Sequence, residues 1–214
     1  GQGKAQQMKV VALGQAKGGV GKSSIAINLA CTATSSGQSA ATIDMDADQV
    51  TALKWASRRM GVPPPVGQAN AVTLTALLEK LKATKIQWVF LDLPGRAGPI
   101  SSAGLRAAQM VLVPCRPHDI YVEASFSTVS AINGAGVKYA YLMSIAPTTG
   151  AARTTAYAKA LASAGHKVAP VCITQRMEVP DAIAAGKSAA EFDPKGKAAA
   201  EFRELFKWLK GEVK

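Results

Sequence analysis

The amino-acid sequence predicts an α/β fold in which a mostly parallel β-sheet is covered by helices on both faces. Short apolar runs of strand type alternate along the chain with longer segments of helical periodicity, and a glycine-rich segment joins the first run to the first helix. Strands separated by helices of this length form βαβ units, and such units build a buried parallel sheet. With 48% hydrophobic and 18% charged residues among 214, the chain has the composition of a globular protein.

The first strands and helices are predicted from apolar runs and the residues that end them. Lys9–Gly14 is an apolar run that stops at the glycine-rich segment, so it predicts the first strand. A helix follows over Lys22–Ser36 because Gly37 is a typical helix terminator. Ala40–Asp44 predicts a short strand ending in acidic residues, and Gln49–Met60 predicts a second helix.

The middle of the chain begins with prolines. Val62–Gly67 (VPPPVG) predicts a rigid loop, and Thr73–Thr84 has the periodicity of an amphipathic helix. Gln87–Leu93 (QWVFLDL) predicts a buried strand, closed by Pro94-Gly95. The remaining elements alternate in the same way, with strands over Met110–Cys115, Lys138–Ile145 and Lys167–Ile173 and helices over Tyr121–Ile132, Ala151–Ala164, Val179–Ala185 and Lys197–Lys210.

The domain organisation predicted from these elements is simple. No internal repeat, long linker or low-complexity stretch divides the chain, so residues 8–214 are expected to form a single domain. Residues 1–7 are polar, and we expect them to be a flexible N-terminal segment or a cloning remnant. The three cysteines are widely spaced and odd in number, which indicates reduced thiols in a cytoplasmic protein and excludes a disulfide framework as the basis of the fold.

The charge balance indicates a polyanionic partner. Lysine and arginine number 25 against 14 aspartate and glutamate residues, which gives a formal net charge of +11. Such an excess favours binding to nucleic acid or to an anionic membrane surface, although solubility alone also explains it.

The segment GQAKGGVGKSS, residues 14–24, carries the strongest functional signal. It lies between a predicted strand and a predicted helix, where its glycines let backbone N–H groups surround phosphate oxygens at a helix N-terminus. Lys22 can reach the β- and γ-phosphates, and the Ser23 hydroxyl can bind Mg²⁺. The pattern GxxxxGK[ST] is not met, since Ala16 stands at its first glycine, and Lys17 precedes the glycines instead.

The KGGVGKS segment resembles the deviant Walker A motif of the ParA/MinD ATPases, and the resemblance extends from Met8 to about the end of the chain. It implies a P-loop NTPase built as a three-layer sandwich, with ATP and Mg²⁺ as cofactors and weak basal ATP hydrolysis. It also implies that Lys17 reaches across an ATP-dependent homodimer to the phosphates bound by the partner subunit, so that hydrolysis depends on dimerisation.

Acidic residues follow two predicted strands at the sheet edge where α/β proteins bind ligands. Asp44 and Asp46 lie in a segment, DMDADQ, that resembles the switch I segment of the family. The resemblance implies that Asp46 orients the attacking water and that Asp44 supports Mg²⁺, whereas a simple helix-capping cluster is the structural alternative. The role of Asp48 is left open. Asp92 ends an apolar strand in the Walker B pattern, where a carboxylate can hold a magnesium-bound water.

Two distal segments resemble the small ParF-like plasmid partition proteins of the family: VPCRPHD at residues 113–119 and ITQR at residues 173–176. They make Pro117 and Gln175 the candidate contacts to the adenine. The complete set of residues predicted to bind nucleotide is Lys17, Gly18, Gly19, Val20, Gly21, Lys22, Ser23, Ser24, Pro117 and Gln175.

The resemblance implies a bacterial, nucleoid-associated protein that binds double-stranded DNA without sequence preference when ATP closes the dimer. Contacts of lysine and arginine with DNA phosphates release counterions, so binding should fall steeply with salt. A ParB-like or other adaptor would bring the plasmid or other cargo and stimulate hydrolysis. The basic residues proposed for DNA contact are Arg153, Lys159, Lys167, Arg176, Lys187, Lys195 and Lys197.

Three alternatives stay open on the sequence. A MinD-like ATPase of the membrane surface is suggested by an apolar stripe on the last helix, Phe202, Leu205, Phe206 and Leu209, although such stripes more often pack on the sheet and no stable membrane association is expected. An accessory DNA-processing factor in conjugation or T-DNA transfer would show sequence preference. A nucleotide-binding protein without hydrolysis is disfavoured by the complete set of charged motif residues.

Overall fold

The computed structural model describes residues 6–214, so the first five residues of the predicted N-terminal segment lie outside the described part of the chain. The predicted fold class is confirmed. Seven strands pair in parallel in the order β3-β2-β4-β1-β5-β6-β7. The strands are β1 Lys9–Leu13, β2 Ala40–Asp44, β3 Val66–Gln68, β4 Trp88–Asp92, β5 Met110–Cys115, β6 Lys138–Ala146 and β7 Ile173–Thr174.

Nine helices lie within the described residues, and most of them connect successive strands. They are α1 Lys22–Ser35, α2 Thr51–Ser57, α3 Leu74–Ala83, α4 Pro99–Ala107, α5 Asp119–Gly134, α6 Ala151–Ser163, α7 Glu178–Ala184, α8 Ala189–Phe192 and α9 Lys197–Glu212.

The sheet separates two apolar cores. On one side α1 and α9 pack against the sheet, and on the other side α3, α4, α5 and α6 do so. The strands carry buried side chains on both faces, as in β4, where all five residues from Trp88 to Asp92 are buried. This explains why the strands are continuous apolar runs with no polar alternation.

The apolar stripe of α9 lies in the core. Phe202, Leu205, Phe206 and Leu209 are each at most 2% exposed, and the Phe206 ring meets Trp88 edge-on with centroids 5.1 Å apart. These side chains therefore cover the sheet and cannot at the same time insert into a bilayer. Within residues 6–214, no helix is long and apolar enough to cross a membrane.

Three predictions of local structure were wrong. The proline loop ends in a strand, since β3 begins at Val66 and pairs with β2 at the sheet edge. The strand predicted over Lys167–Ile173 is reduced to β7 and one isolated bridge at Val168, because Pro170 lacks the N–H group that a continued ladder needs. Helices α4 and α8 were not predicted at all.

Helix α4 was not predicted because its contact with the sheet depends on small residues. A Cβ atom at Gly104 would overlap the Leu93 side chain, so glycine is needed for the close approach of this helix to the end of β4. Small residues such as those in PISSAGLRA give little apolar periodicity to detect.

Candidate functional site

The phosphate loop joins β1 to α1 and ends at the helix N-terminus. Gly19 and Gly21 have φ angles of 76° and 87°, in the left-handed region that glycine adopts without strain. Gly21 caps α1, and no side chain caps the first turn, so the backbone N–H groups there remain available for an anion. Val20 turns inward and is 1% exposed, which anchors the loop between these glycines.

Lys22 reaches from the start of α1 toward the loop after β4. A Cβ atom at Gly95 would lie 3.9 Å from the Lys22 ammonium nitrogen and 3.6 Å from the carbonyl oxygen of Ala16. The loop after β4 therefore lies directly against the phosphate loop, with the Lys22 ammonium between them.

Ser23 and Asp92 form the centre of the predicted metal site. The Ser23 hydroxyl donates to Asp92 Oδ2 at 2.5 Å. Asp92 ends the central strand β4 and is 1% exposed. Burial raises the pKa of this carboxyl to about 7, and the negative charges of Asp44 and Asp46 act in the same direction, while the Ser23 hydrogen bond and Lys22 oppose them. A cation beside this carboxylate would relieve the cost of its burial.

Asp44 has a structural partner for each carboxylate oxygen. Oδ1 accepts from the Asp46 N–H at 3.0 Å, and Oδ2 accepts from the N–H groups of Ala52 and Leu53 at 3.1 and 3.3 Å. These bonds tie the first turn of α2 to the end of β2, as the helix-capping alternative predicted. Burial raises the pKa of Asp44, against these hydrogen bonds. Its predicted role in supporting Mg²⁺ stays a prediction.

Asp46 faces the phosphate loop. Its Oδ1 accepts from the N–H groups of Asp48 and Gln49 at 3.2 and 3.3 Å, which holds the turn after β2 in shape. The next turn contains Val50 with a φ of 45°, a strained conformation for a β-branched residue. Asp46 thus sits on a constrained loop and lines the cavity, and its predicted role in orienting the attacking water stays a prediction.

These segments enclose a polar cavity of about 610 Å³. It is lined by Ala16, Gly18, Gly19, Val20, Gly21, Lys22, Ser23, Ser24, Asp46, Asp48, Gln49, Thr51, Pro94, Gly95 and Arg96.

The donors around this cavity suit Mg²⁺ bound mainly through water and ligand phosphates. Ser23 and Asp92 offer hard oxygen ligands side by side, and Mg²⁺ in nucleotide sites takes only one or two protein oxygens. No group of three or more His, Cys, Asp or Glu side chains within residues 6–214 could hold a metal ion without such help.

A second cavity, of about 500 Å³, lies on the other side of the phosphate loop. It shares Val20, Gly21 and Ser24 with the polar cavity but is otherwise mostly apolar, and the predicted base-contact residue Gln175 lies in its wall. Its further lining comes from Ile25, Arg58, Ser144, Ile145, Ile173, Thr174, Arg176, Met177, Val179, Pro180, Ile183, Ala184 and Phe202.

Two residues of this lining carry a buried polar atom that has no hydrogen-bond partner within the described residues: the Ser144 hydroxyl and Arg176 Nε. Ser144 is completely buried, and the following residue, Ile145, has a φ of 47° at a register shift between β6 and β7. A buried hydroxyl without a partner is unfavourable unless a ligand supplies one.

Pro117, the other predicted base contact, lies elsewhere. It is buried and lines neither cavity, and its carbonyl oxygen accepts from Arg153 Nε at 2.8 Å. The structure therefore places Gln175 in the wall of the cavity beside the phosphate loop but leaves Pro117 outside both cavities.

Lys17 is turned away from the polar cavity. Its ammonium nitrogen lies 5.6 Å from the centroid of the Tyr121 ring, and Arg116 lies 5.3 Å from the same ring. Lys17 is half-buried and does not line the cavity of its own chain.

The seven basic residues proposed for DNA contact differ in their surroundings. Arg176 is half-buried and bonds to Glu201 at 3.0 Å, Lys167 pairs with Glu212, and Arg153 is held by the Pro117 carbonyl and by His118. The remaining four side chains are exposed: Lys159, Lys187, Lys195 and Lys197.

Arg96 and Ser144 were missed from the sequence. Arg96 directly follows Pro94-Gly95 in the loop after β4, and its position just after a predicted strand was the signal that could have found it. Ser144 could not be identified from the sequence. Whether a serine in an apolar strand has a hydrogen-bond partner is known only when the residues around it in the fold are known.

Comparisons with known proteins agree with this geometry. The family model described as ATPase MipZ matches residues 9–64, which include the phosphate loop and β2. McdA of Cyanothece superposes with a TM-score of 0.76 at 16% sequence identity, covering 96% of this chain and 100% of that one. The cell division ATPase MinD of Pyrococcus furiosus superposes with a TM-score of 0.79 at 14% identity, with coverages of 96% and 100%.

A protein of Borrelia burgdorferi B31 described as a plasmid partition protein, bound to AMPPNP, superposes with a TM-score of 0.73 at 16% identity and covers 97% and 100% of the two chains. No sequence among curated proteins matches the chain significantly. The predicted resemblance to the ParA/MinD ATPases is confirmed by the match to the phosphate-loop segment together with the shared fold, whereas the closer likeness to ParF-like proteins stays a prediction.

Proposed function

We propose that the chain is an ATPase of the ParA/MinD family that hydrolyses ATP as a dimer to position or partition an intracellular cargo on DNA. The observation that carries this proposal is the pair of cavities on either side of the phosphate loop. A polar cavity with Lys22 and Ser23 suits the phosphates, and the adjoining apolar cavity suits a purine base. The AMPPNP bound to the Borrelia protein of the same fold supports a nucleotide as the ligand.

Each part of the polar cavity has a task in this proposal. Backbone N–H groups of the loop and the N-terminus of α1 bind phosphate oxygens, and Lys22 neutralises the charge that builds on them. Ser23 and Asp92 would hold Mg²⁺, which supplies charge neutralisation at the β- and γ-phosphates when bound. Within residues 6–214 the hydrogen bonds of Asp46 use Oδ1, which leaves Oδ2 to orient the attacking water.

Dimerisation is proposed to complete the site through Lys17. In the single chain the Lys17 ammonium lies over Tyr121 and does not line the cavity proposed to bind the phosphates. A lysine supplied by a second subunit would make hydrolysis depend on assembly. We expect Lys17→Ala to keep nucleotide binding but to lose ATP-dependent dimerisation and hydrolysis, which light scattering and phosphate release would measure. Normal turnover of this variant would contradict the proposal.

DNA binding is supported by charge. The net charge is +11, and the exposed Lys187, Lys195 and Lys197 lie close together in sequence on the segments around α8. Because DNA binding by lysine releases counterions, the affinity should fall by orders of magnitude between low and physiological salt. A nucleoid-associated protein of this kind would need an adaptor, ParB-like or of another type, to join it to its cargo.

The membrane-surface alternative loses the feature that suggested it, because the apolar stripe of α9 is buried against the sheet. The proposed lack of stable membrane association agrees with this placement. Liposome flotation in the presence of ATP provides the direct test, and recovery of the protein with the vesicles would favour this alternative.

The experiment that tests the proposal is retention on random-sequence duplex DNA with ATP, ADP or no nucleotide across a salt series. We expect retention only with ATP and a steep decline with salt. Lys22→Ala serves as a control that cannot bind nucleotide. Absence of binding in every state would contradict the DNA-based proposal, and preference for one DNA sequence without ATP dependence would instead favour an accessory role in DNA processing.

A further inference from the structure

An ion pair crosses the mouth of the polar cavity. Arg96 Nη2 donates to Asp48 Oδ2 at 2.5 Å, and the two side chains are 79% and 68% exposed. Asp48 lies in the loop after β2, and Arg96 lies in the loop after β4. Both residues line the cavity that also contains Lys22. The pair therefore joins the two loops that line this cavity together with the phosphate loop.

The pair is weak enough to exchange partners. An ion pair between two exposed side chains changes an equilibrium constant by no more than about fivefold, because water screens the charges and both side chains lose freedom. A phosphate carries more charge than a carboxylate, and the planar guanidinium can donate two hydrogen bonds to it. A terminal phosphate within reach of Arg96 would therefore displace Asp48.

The backbone of Arg96 is held beside the phosphate loop. Its neighbour Gly95 lies close enough to Lys22 that a Cβ atom there would be 3.9 Å from the ammonium nitrogen. The carbonyl oxygen of Arg96 accepts from the Ser101 hydroxyl at 2.7 Å, which fixes it to the first turn of α4. The exposed side chain is free to swing while its origin stays in place.

A movement of the Arg96 side chain would change the balance of charge in the cavity. Lys22 and Arg96 are the cations of the lining, and Asp46 and Asp48 are its anions, so the lining has no net charge of its own. The ammonium of Lys17 lies over the Tyr121 ring and adds no charge to this lining. Transfer of Arg96 from Asp48 to a phosphate would add a second cation, beside Lys22, to the groups that bind the phosphates.

We propose that Arg96 binds the terminal phosphate and thereby determines preference for nucleoside triphosphate over diphosphate, with Asp48 competing for the same guanidinium. This inference rests on the proposed nucleotide binding. It assigns opposite effects to the two partners of one ion pair, since loss of Arg96 removes a contact to the third phosphate and loss of Asp48 removes its competitor.

The test is calorimetric titration with Mg²⁺ and either AMPPNP or ADP. Arg96→Ala should weaken AMPPNP binding about tenfold, as the loss of a charge-assisted hydrogen bond predicts, and should change ADP binding less than about twofold. Asp48→Asn should strengthen AMPPNP binding up to about threefold. The double variant should behave as Arg96→Ala does, and Arg106→Ala, an exposed arginine on α4, should behave as the wild type.

Two results would overturn the inference while leaving the proposed function intact: equal loss of AMPPNP and ADP binding in Arg96→Ala, or weaker AMPPNP binding in Asp48→Asn. The first would show that Arg96 does not distinguish the third phosphate, and the second would show that the ion pair supports the bound state. Failure of the wild type to bind either nucleotide would instead contradict the proposed function itself.

Discussion

The two cavities that flank the phosphate loop differ in chemistry and in origin. The polar cavity is built from three short segments that each end a strand, those after β1, β2 and β4, and it contains two cations and two anions. The apolar cavity is built from β6, β7, α7 and α9, and its lining is mostly aliphatic. The loop between them contributes Val20, Gly21 and Ser24 to both.

The two cavities are suited to different parts of a nucleotide, the phosphates and the base. In the proposed function, charge and backbone N–H groups of the polar cavity bind the phosphates. The apolar cavity can recognise a base only through shape and a few polar atoms, such as the Ser144 hydroxyl. Changes in the first cavity should therefore affect all phosphate ligands, and changes in the second should affect only ligands that carry a base.

The largest effect is expected in the polar cavity. Lys22→Ala should weaken both ATP and ADP binding by at least about a hundredfold, because the ammonium between the two loops is the main charge on the phosphates. Calorimetric titration measures this loss. Lys54→Ala, an exposed lysine on α2, is the matched control and should bind both nucleotides normally. Unchanged affinity of Lys22→Ala would refute the assignment of this cavity to phosphates.

The pH dependence of stability should report the buried carboxylate of the polar cavity. Folding raises the pKa of Asp92 from an ordinary value of 3.8 to about 7, so its contribution is most favourable below pH 4 and is lost as the pH rises through about 7. The wild type should lose stability relative to Asp92→Asn by up to about 1.4 kcal/mol per pH unit over this range. Urea unfolding without nucleotide or Mg²⁺ measures it. Parallel curves for the two proteins would show that Asp92 is ionised throughout.

A smaller and more selective effect is expected in the apolar cavity. Ala184→Trp places an indole at its rim and should weaken ATP and ADP binding about tenfold, while binding of inorganic triphosphate should stay unchanged. Competition against a fluorescent nucleotide measures all three. Ala185→Trp is the matched control, since Ala185 is exposed and does not line the cavity. Equal losses for triphosphate and nucleotide would contradict the division of tasks between the cavities.

The smallest effect is expected at Ser144. Removal of a buried hydroxyl without a partner should leave the free protein as stable as the wild type or stabilise it by up to about 1 kcal/mol. If the base supplies the missing partner, Ser144→Ala should weaken ATP binding about threefold and leave inorganic triphosphate unaffected. Thermal unfolding with and without ATP measures both properties. Wild-type affinity would show that the hydroxyl does not contact the base.

The polar cavity could be predicted because its parts are local. A glycine-rich segment after a strand, and acidic residues at the ends of two neighbouring strands, were expected to meet at one edge of a parallel sheet, and Lys22, Ser23 and Asp46 line one cavity there, with the buried Asp92 carboxyl bonded to Ser23. The interruption at Pro170 of the strand predicted over Lys167–Ile173 and the presence of helix α4 were not predicted. In both places the structure depends on single proline or small residues, which leave little periodic pattern in the sequence.

The fold class, the phosphate loop and the acidic strand ends could all be predicted from the amino-acid sequence, since each follows from local patterns of residues. The tertiary contacts were needed to show that Gln175 lines a cavity beside the phosphate loop and Pro117 does not, that the α9 stripe covers the sheet, and that Arg96 meets Asp48 across 48 residues of chain. The reason is physical: local backbone preferences act over one or two turns, whereas burial and charge pairing depend on which distant segments the sheet order brings together.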